Sequence, residues 1–172
     1  MLARPNGSAA GERRKTFLDG MSQAASTVSV VTTDGPAGRS GVTVSAMSSV
    51  SADEPTLLVC IHHRSRTADA IIRNRIFCVN LLRDDQWLIS ESFAGREKAR
   101  VADKFACSAW TRQVTGAPRL VDPLVAFDCR LVASQRIGTH HVLFGSVEDV
   151  YIGPSGSPLI YANRTYRTAA RL

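Results

Sequence analysis

Three stretches of this 172-residue chain concentrate side chains that could handle a ligand. The first is Gly41 to Ser51 (GVTVSAMSSVS), where Thr43, Ser45, Ser48, Ser49 and Ser51 interleave with Val44, Ala46 and Val50. Small side chains let a flat ligand approach the backbone, and hydroxyls and amides bond its polar edge. An exposed edge strand has the same composition, so both readings stand. The second is His62-His63-Arg64-Ser65-Arg66-Thr67, just ahead of a helical pattern. A helix N-terminus with two arginines, a serine and a threonine suits a phosphate; a solvated loop would look alike. The third is Gly138-Thr139-His140-His141, between two strand patterns. A histidine there can donate to a carbonyl or phosphate, or be incidental. Neighbouring strand residues face opposite sides, so one of the pair at most faces a given site.

Templates for other chemistries are missing. The sequence contains no G-x-S-x-G, no H-E-x-x-H, no P-loop and no G-x-G-x-x-G between a strand and a helix. Gly35, Gly38 and Gly41 fall in a hairpin loop and read as turn residues. Cys60, Cys78, Cys107 and Cys129 form no C-x-x-C and have no histidine at zinc-ligand spacing. They read as buried thiols acting as small hydrophobes, and no metal site is expected.

The elements that must position these stretches follow from periodicity. Residues 1–13 read as a flexible leader and 169–172 as a tail, around one domain spanning 14–168. A helix is expected over Glu12 to Ala25, with Phe17, Met21, Ala24 and Ala25 on one face. Strands are expected at Thr27–Thr33, Gly41–Ser51, Thr56–His62, Ile76–Leu82, Val125–Ser134, His141–Ile152 and Pro158–Tyr161. Short helices are expected at Ala68–Arg73, capped by Thr67, after Asp84-Asp85, and over Glu97–Phe105. The first two strands are joined by too short a loop for a parallel crossover, and strands do not alternate regularly with helices. A mainly β, antiparallel barrel with a few flanking helices fits.

Charge excludes a nucleic-acid reading. The net +6 divides into +3 over residues 1–15, +3 over 164–172 and zero across 16–163. With 6% aromatic residues the chain also lacks stacking platforms for single strands. No apolar run approaches membrane-spanning length. Arg13-Arg14 is followed by Asp19, Ser22 and Gln23 rather than an apolar signal region, so a cytoplasmic protein is expected.

Taken in order, Thr27–Arg39, Gly41–Ala46, Ser49–Ser51, Pro55–Cys60, Cys78-Val79-Asn80-Leu81, Phe93-Ala94-Gly95, Lys104-Phe105, Trp110, Thr115–Pro118, Phe127-Asp128-Cys129, Gly138-Thr139-His140 and Pro158–Tyr161 resemble the small flavin reductase family. Its members are the reductase components of two-component flavin monooxygenases. The resemblance covers about residues 14–168. It implies a split antiparallel β-barrel homodimer of the FMN-binding type, with hydride passing from NADH or NADPH to FMN or FAD. Reduced flavin would then go to a separate monooxygenase. By position it implies Thr43, Val44, Ser45 and Ala46 along the flavin ring and ribityl chain, and Ser26 and Thr27 approaching from the first strand. It puts Ser65, Arg66 and Thr67 on the flavin phosphate and His140 beside the nicotinamide. Asn80 enters as a motif residue for the cofactor. Departures are Thr139 where many members have Asp, Glu54 before Pro55 where many have Pro, and Val44 where Ala is common. A flavin-binding barrel without reductase turnover is the alternative, since fold alone does not fix function.

Overall fold

The computed structural model describes residues 7–95 and 103–170. The chain opens with α1 (Gly7–Gln23), then β1 (Ser26–Thr27), β2 (Ser29–Thr33), β3 (Ser40–Val44), β4 (Met47–Ser51) and β5 (Thr56–His62). Next come α2 (Arg66–Asn74), β6 (Ile76–Leu81), a 3-10 turn at Asp84–Gln86, α3 (Trp87–Ala94) and a second 3-10 turn at Lys104–Cys107. The chain continues through β7 (Trp110–Arg112), β8 (Pro118–Leu120), β9 (Val125–Ile137), β10 (His140–Ile152), β11 (Leu159–Ala162) and β12 (Thr165–Thr168).

Seven strands form one antiparallel sheet in the order β3-β2-β6-β9-β10-β5-β4. Its two edge strands are consecutive in the chain. The run Gly41–Ser51, expected as one strand, breaks at Ser45-Ala46, so that β3 pairs with β2 while β4 pairs with β5. The Cys60 N–H donates to the Ala46 carbonyl at 3.0 Å across the break. One bent strand thus joins both edges of the sheet and closes it into a barrel.

Strand β2 shows why its sequence is nearly all β-branched. All five residues are buried because both of its faces are covered. Val31 belongs to the inner core with Val59, Ile61, Ile71, Phe77, Val79 and Leu143. Val30, one residue earlier, faces an outer core with Leu82, Phe93, Phe105, Leu120 and Leu159. In that outer core Phe93, Phe105 and Trp110 meet edge to face at 5.0–5.4 Å. Gly41 makes room for them: a Cβ there would lie 2.6 Å from the Phe93 ring.

Several boundaries differ from the sequence reading. Helix α1 begins at Gly7 instead of Glu12, so residues 7–11, expected as leader, form its first turn, and it ends at Gln23, two residues before its expected end. Helix α2 is capped by Ser65, whose Oγ accepts the Thr67 N–H, and not by Thr67 itself. It ends on Arg75 in the left-handed conformation (φ 65°), whose N–H bonds the Ile71 carbonyl. The strand Thr27–Thr33 is interrupted at Val28, freeing Ser26–Thr27 to pair with β11. Strands β7, β8 and β12 are too short for a visible period. The helix expected over Glu97–Phe105 falls largely outside the described residues, and Lys104–Cys107 is a 3-10 turn. Of the cysteines, Cys78 and Cys129 are buried, Cys60 is half-buried and Cys107 is exposed, so the buried reading fails for Cys107.

Candidate functional site

The break between β3 and β4 forms one wall of a cleft of about 600 Å³. Thr43, Val44, Ser45 and Ala46 line it, with Cys60, Ile61 and His62 from β5, Val142 and His140 from β10, and Ser65 at the start of α2. Phe17 and Met21 of α1 and Ile137 at the end of β9 complete the lining, and all three side chains are otherwise exposed. Most of the lining is apolar, and the polar side chains are Thr43, Ser45, His62, Ser65 and His140, of which His62 and His140 meet edge-on. A flat amphipathic ligand suits this distribution.

Behind the same strand lies a smaller cavity of about 270 Å³, bounded by Val28, Val42 to Ser45, Ser90, Ala94, Tyr161 and Tyr166. Hydrogen bonds stiffen it. Thr43 Oγ1 donates to the Ser90 carbonyl at 2.7 Å, Ser90 Oγ lies 2.9 Å from the Tyr166 hydroxyl, and that hydroxyl donates to Glu91 Oε1 at 2.6 Å. The side chains of Thr43 to Ser45 are shared by both spaces.

The predicted site residues divide into three groups. Thr43, Val44, Ser45, Ala46, Ser65 and His140 come together in the main cleft. Arg66 is exposed on the first turn of α2, next to Ser65. Thr67 is buried below it, its Oγ1 2.8 Å from Ser40 Oγ, so its hydroxyl fastens α2 to β3 instead of facing a ligand. Ser26 and Thr27 line neither space. They pair with Tyr161 and Ile160, which places them beside the small cavity.

Asn80 requires a correction. It is fully buried in β6; its Nδ2 donates to the Val30 carbonyl at 3.0 Å and to Thr32 Oγ1 at 3.3 Å. Its Oδ1 accepts the Leu120 N–H at 2.8 Å. The side chain is consumed in joining β2, β6 and β8, and a buried amide with these partners has little left for a ligand.

Sequence reasoning missed Phe17, Met21, Tyr161 and Tyr166 as lining residues. The first two carry a signal, an apolar pair one helical turn apart on a helix that leaves both side chains exposed. The tyrosines carry none, because β12 brings Tyr166 in from far along the chain. His140 is the first residue of β10 rather than a turn residue; the two-residue turn is Gly138-Thr139, with Gly138 at φ 57°. Among the described residues no group of histidines, cysteines and carboxylates could hold a metal.

A closed antiparallel split barrel with a ligand cleft on the bend of one strand defines the flavin reductase fold. Residues 21–170 match the flavin reductase like domain. The chain belongs to that family. It is 44% identical over 155 residues, 90% of its own length and 76% of the other's, to a protein named FMN reductase (NADH) RutF 1 of Methylorubrum extorquens. The fold superimposes with TM-score 0.85 on a nitrilotriacetate monooxygenase component B homolog from Mycobacterium thermoresistibile, 28% identical, covering 94% of this chain and 89% of that one. It also matches BorF, the flavin reductase component of a bacterial two-component tryptophan halogenase, with TM-score 0.82 and 26% identity over 92% of this chain and 99% of that one.

Proposed function

We propose that this chain is an NADH-dependent FMN reductase that supplies reduced flavin to a separate oxygenase component. The observation that carries the reading is the cleft itself. Small residues on a bent strand face an apolar wall, His140 and Ser65 line the same cleft, and exposed Arg66 follows Ser65 on the first turn of α2. The residues fit a flavin. Ser45 and Ala46 are exposed and small enough for a ring to reach the backbone. Arg66 has no carboxylate partner among the described residues, so it is available to a phosphate beside the α2 N-terminus.

When bound, the flavin accepts a hydride that the nicotinamide supplies, chemistry that belongs to the two cofactors. The chain's part is alignment. Val44 and Ala46 set the depth at which a ring can lie. Thr43, held by the Ser90 carbonyl, fixes the strand under it. His140 orients the incoming donor and excludes water from the open side. No side chain needs to transfer a proton in the step.

The working unit is proposed to be a homodimer in the cytoplasm. Phe17, Met21 and Ile137 are exposed apolar residues on one cleft, and a second copy covering them would close it. No described helix is long and apolar enough to cross a membrane.

The direct test follows NADH absorbance on adding FMN, FAD or riboflavin. Oxidation that requires added flavin, or yellow protein that turns NADH over, supports the reading. NADH that stays intact with every flavin overturns it, and flavin binding without turnover would leave only a flavin-binding barrel. Sedimentation of the same sample reads the oligomeric state.

A further inference from the structure

Four hydroxyl residues line the small cavity behind β3: Thr43, Ser45, Ser90 and Tyr166. Ser90 is fully buried, Thr43 and Tyr166 are half-buried, and Ser45 is exposed. A hydroxyl has one hydrogen to give, so the partners of these four hydrogens decide what the cavity offers a ligand. Tyr166 gives its hydrogen to Glu91 Oε1 at 2.6 Å. Ser90 Oγ, 2.9 Å from the Tyr166 oxygen, is therefore the donor of that pair. Thr43 Oγ1 gives its hydrogen to the Ser90 carbonyl at 2.7 Å. Ser90 thus holds β3 through its carbonyl and β12 through its side chain.

These bonds give the wall a fixed polarity. Thr43 Oγ1 keeps only lone pairs for the cavity, so it accepts from a ligand. Ser45 is exposed just past the end of β3, and its hydroxyl stands outside the network, so its hydrogen is free to turn to a ligand. An acceptor and a donor two residues apart match the edge of a planar ring that carries an N–H beside a C=O. The rest of the lining suits the faces of such a ring: Val28, Val42, Val44 and Ala94 are apolar, and the Tyr161 ring stands edge-on to Tyr166 at 5.6 Å. At about 270 Å³ the cavity is smaller than the roughly 300–1,000 Å³ of a complete ligand pocket, so it takes one edge of a ring system and not a whole nucleotide.

We propose that Thr43 and Ser45 read the pyrimidine edge of the flavin, its imide N–H bonding to Thr43 Oγ1 and a carbonyl beside it accepting from Ser45, and that Tyr166 is a positioning residue for this contact. The inference deepens the reading above that a flavin lies along Thr43 to Ala46, and rests on it. The carboxamide of nicotinamide carries the same N–H and C=O. The flavin is favoured because Thr43 to Ser45 border both spaces, whereas His140, which that reading sets beside the nicotinamide, lines only the main cleft. Tyr166 acts through Ser90. It holds α3 against β3, so that the Thr43 hydrogen stays on the Ser90 carbonyl and its lone pairs stay toward the ligand.

The probes are oxidised FMN and FMN methylated at the imide nitrogen, which lacks that N–H. The Kd of each is read from quenching of flavin fluorescence on the intact protein without NADH, so no turnover is needed. The wild type is expected to bind FMN at least about threefold more tightly than the methylated flavin, the worth of one hydrogen bond. Thr43→Val, which keeps the shape of the side chain, weakens FMN by about threefold to tenfold and leaves the methylated flavin unchanged. Tyr166→Phe gives the same pattern to a smaller extent. Ser45→Ala, at an exposed position, weakens both flavins alike, since both keep the carbonyls. Far-UV circular dichroism reports that the three variants fold. Equal wild-type affinity for the two flavins overturns the proposal, as does a Thr43→Val that weakens both equally or neither, or a Ser45→Ala that weakens neither. Tyr166→Phe acting equally on both flavins overturns its positioning role. Thr43→Val that weakens NAD⁺ and not FMN gives the edge to the carboxamide and overturns the flavin assignment. A wild type that binds no FMN overturns the flavin reading itself, which the NADH assay tests separately.

Discussion

Thr43 Oγ1 donates to the main-chain carbonyl of Ser90 at 2.7 Å, so the strand that faces the main cleft is fastened from behind by the helix α3. Removing this bond leaves the shape of the side chain almost unchanged in Thr43→Val. A single such bond contributes about 1 kcal/mol, equivalent to a fall of about 2–4 °C in Tm for a domain of this size. The effect on flavin should exceed the effect on stability, because Thr43 lines both spaces. The expected result is a higher KM for FMN with a small drop in Tm. An unchanged KM would detach the small cavity from flavin binding.

Ser65 and Arg66 have separable roles. Ser65 caps α2 through the Thr67 N–H at 3.3 Å, and replacing such a cap with alanine costs about 1 kcal/mol. Arg66 is exposed and carries no such duty. Arg66→Gln should therefore leave Tm in place and raise KM for FMN several-fold, with no change for riboflavin, which lacks the phosphate. Equal effects on both flavins would move the phosphate away from α2.

The strands of the inner barrel were legible in the sequence because burial leaves a mark on composition. Thr56–His62 is a strand with the limits its apolar run indicates, and Ile76–Leu81 falls one residue short of its expected end. The bend at Ser45-Ala46 was not legible. It comes from pairing two distant partners, and nothing in the residues around it is a turn signal. The same cause hid the roles of Asn80 and Thr67. Both are polar residues in motifs, and only the tertiary contacts decide whether a polar side chain serves a ligand or the backbone. The composition of Thr43 to Ala46 fits a ligand wall and an edge strand alike, so only the family resemblance pointed to these four residues as lining. The Tyr166 contribution depends on β12, whose four residues follow from no period.

His140 stands edge-on to His62 at the mouth of the cleft. An orienting residue contributes more to holding the donor than to the barrier. His140→Ala should raise KM for NADH more than it lowers kcat. The opposite split, a large kcat loss at unchanged KM, would assign His140 to the chemical step itself.

Gly145 sits at a bulge of β10, opposite Leu131, where a Cβ would lie 2.5 Å from the Phe77 ring and 2.9 Å from Cys129 Cβ. Phe77 is fully buried and cannot retreat. Gly145→Ala should destabilise the fold by about 1–3 kcal/mol, the range for overpacking a core. A urea titration should show a lower midpoint at unchanged slope. Adding Phe77→Leu should recover part of the loss, because the clash is with the ring.

Asp128 couples stability to pH. It is buried, with its carboxylate accepting the Thr115 N–H at 2.7 Å and the Thr115 hydroxyl at 2.5 Å. Burial raises its pKa above the ordinary aspartate value; the Thr115 bonds oppose the rise, and Asp149 and Glu148 add to it. The native state thus holds this proton more tightly than the unfolded chain does. Its stabilising contribution is complete below the unfolded value of about 3.9 and is lost as pH rises through the higher native value. Asp128→Asn removes the titration and leaves a constant offset from the altered hydrogen bonds. The difference in unfolding free energy, wild type minus Asp128→Asn, should therefore decrease as pH is raised from about 4 and then level off. Urea titrations of both proteins across that range read it directly, and a difference that stays constant would mean that Asp128 titrates alike in both states.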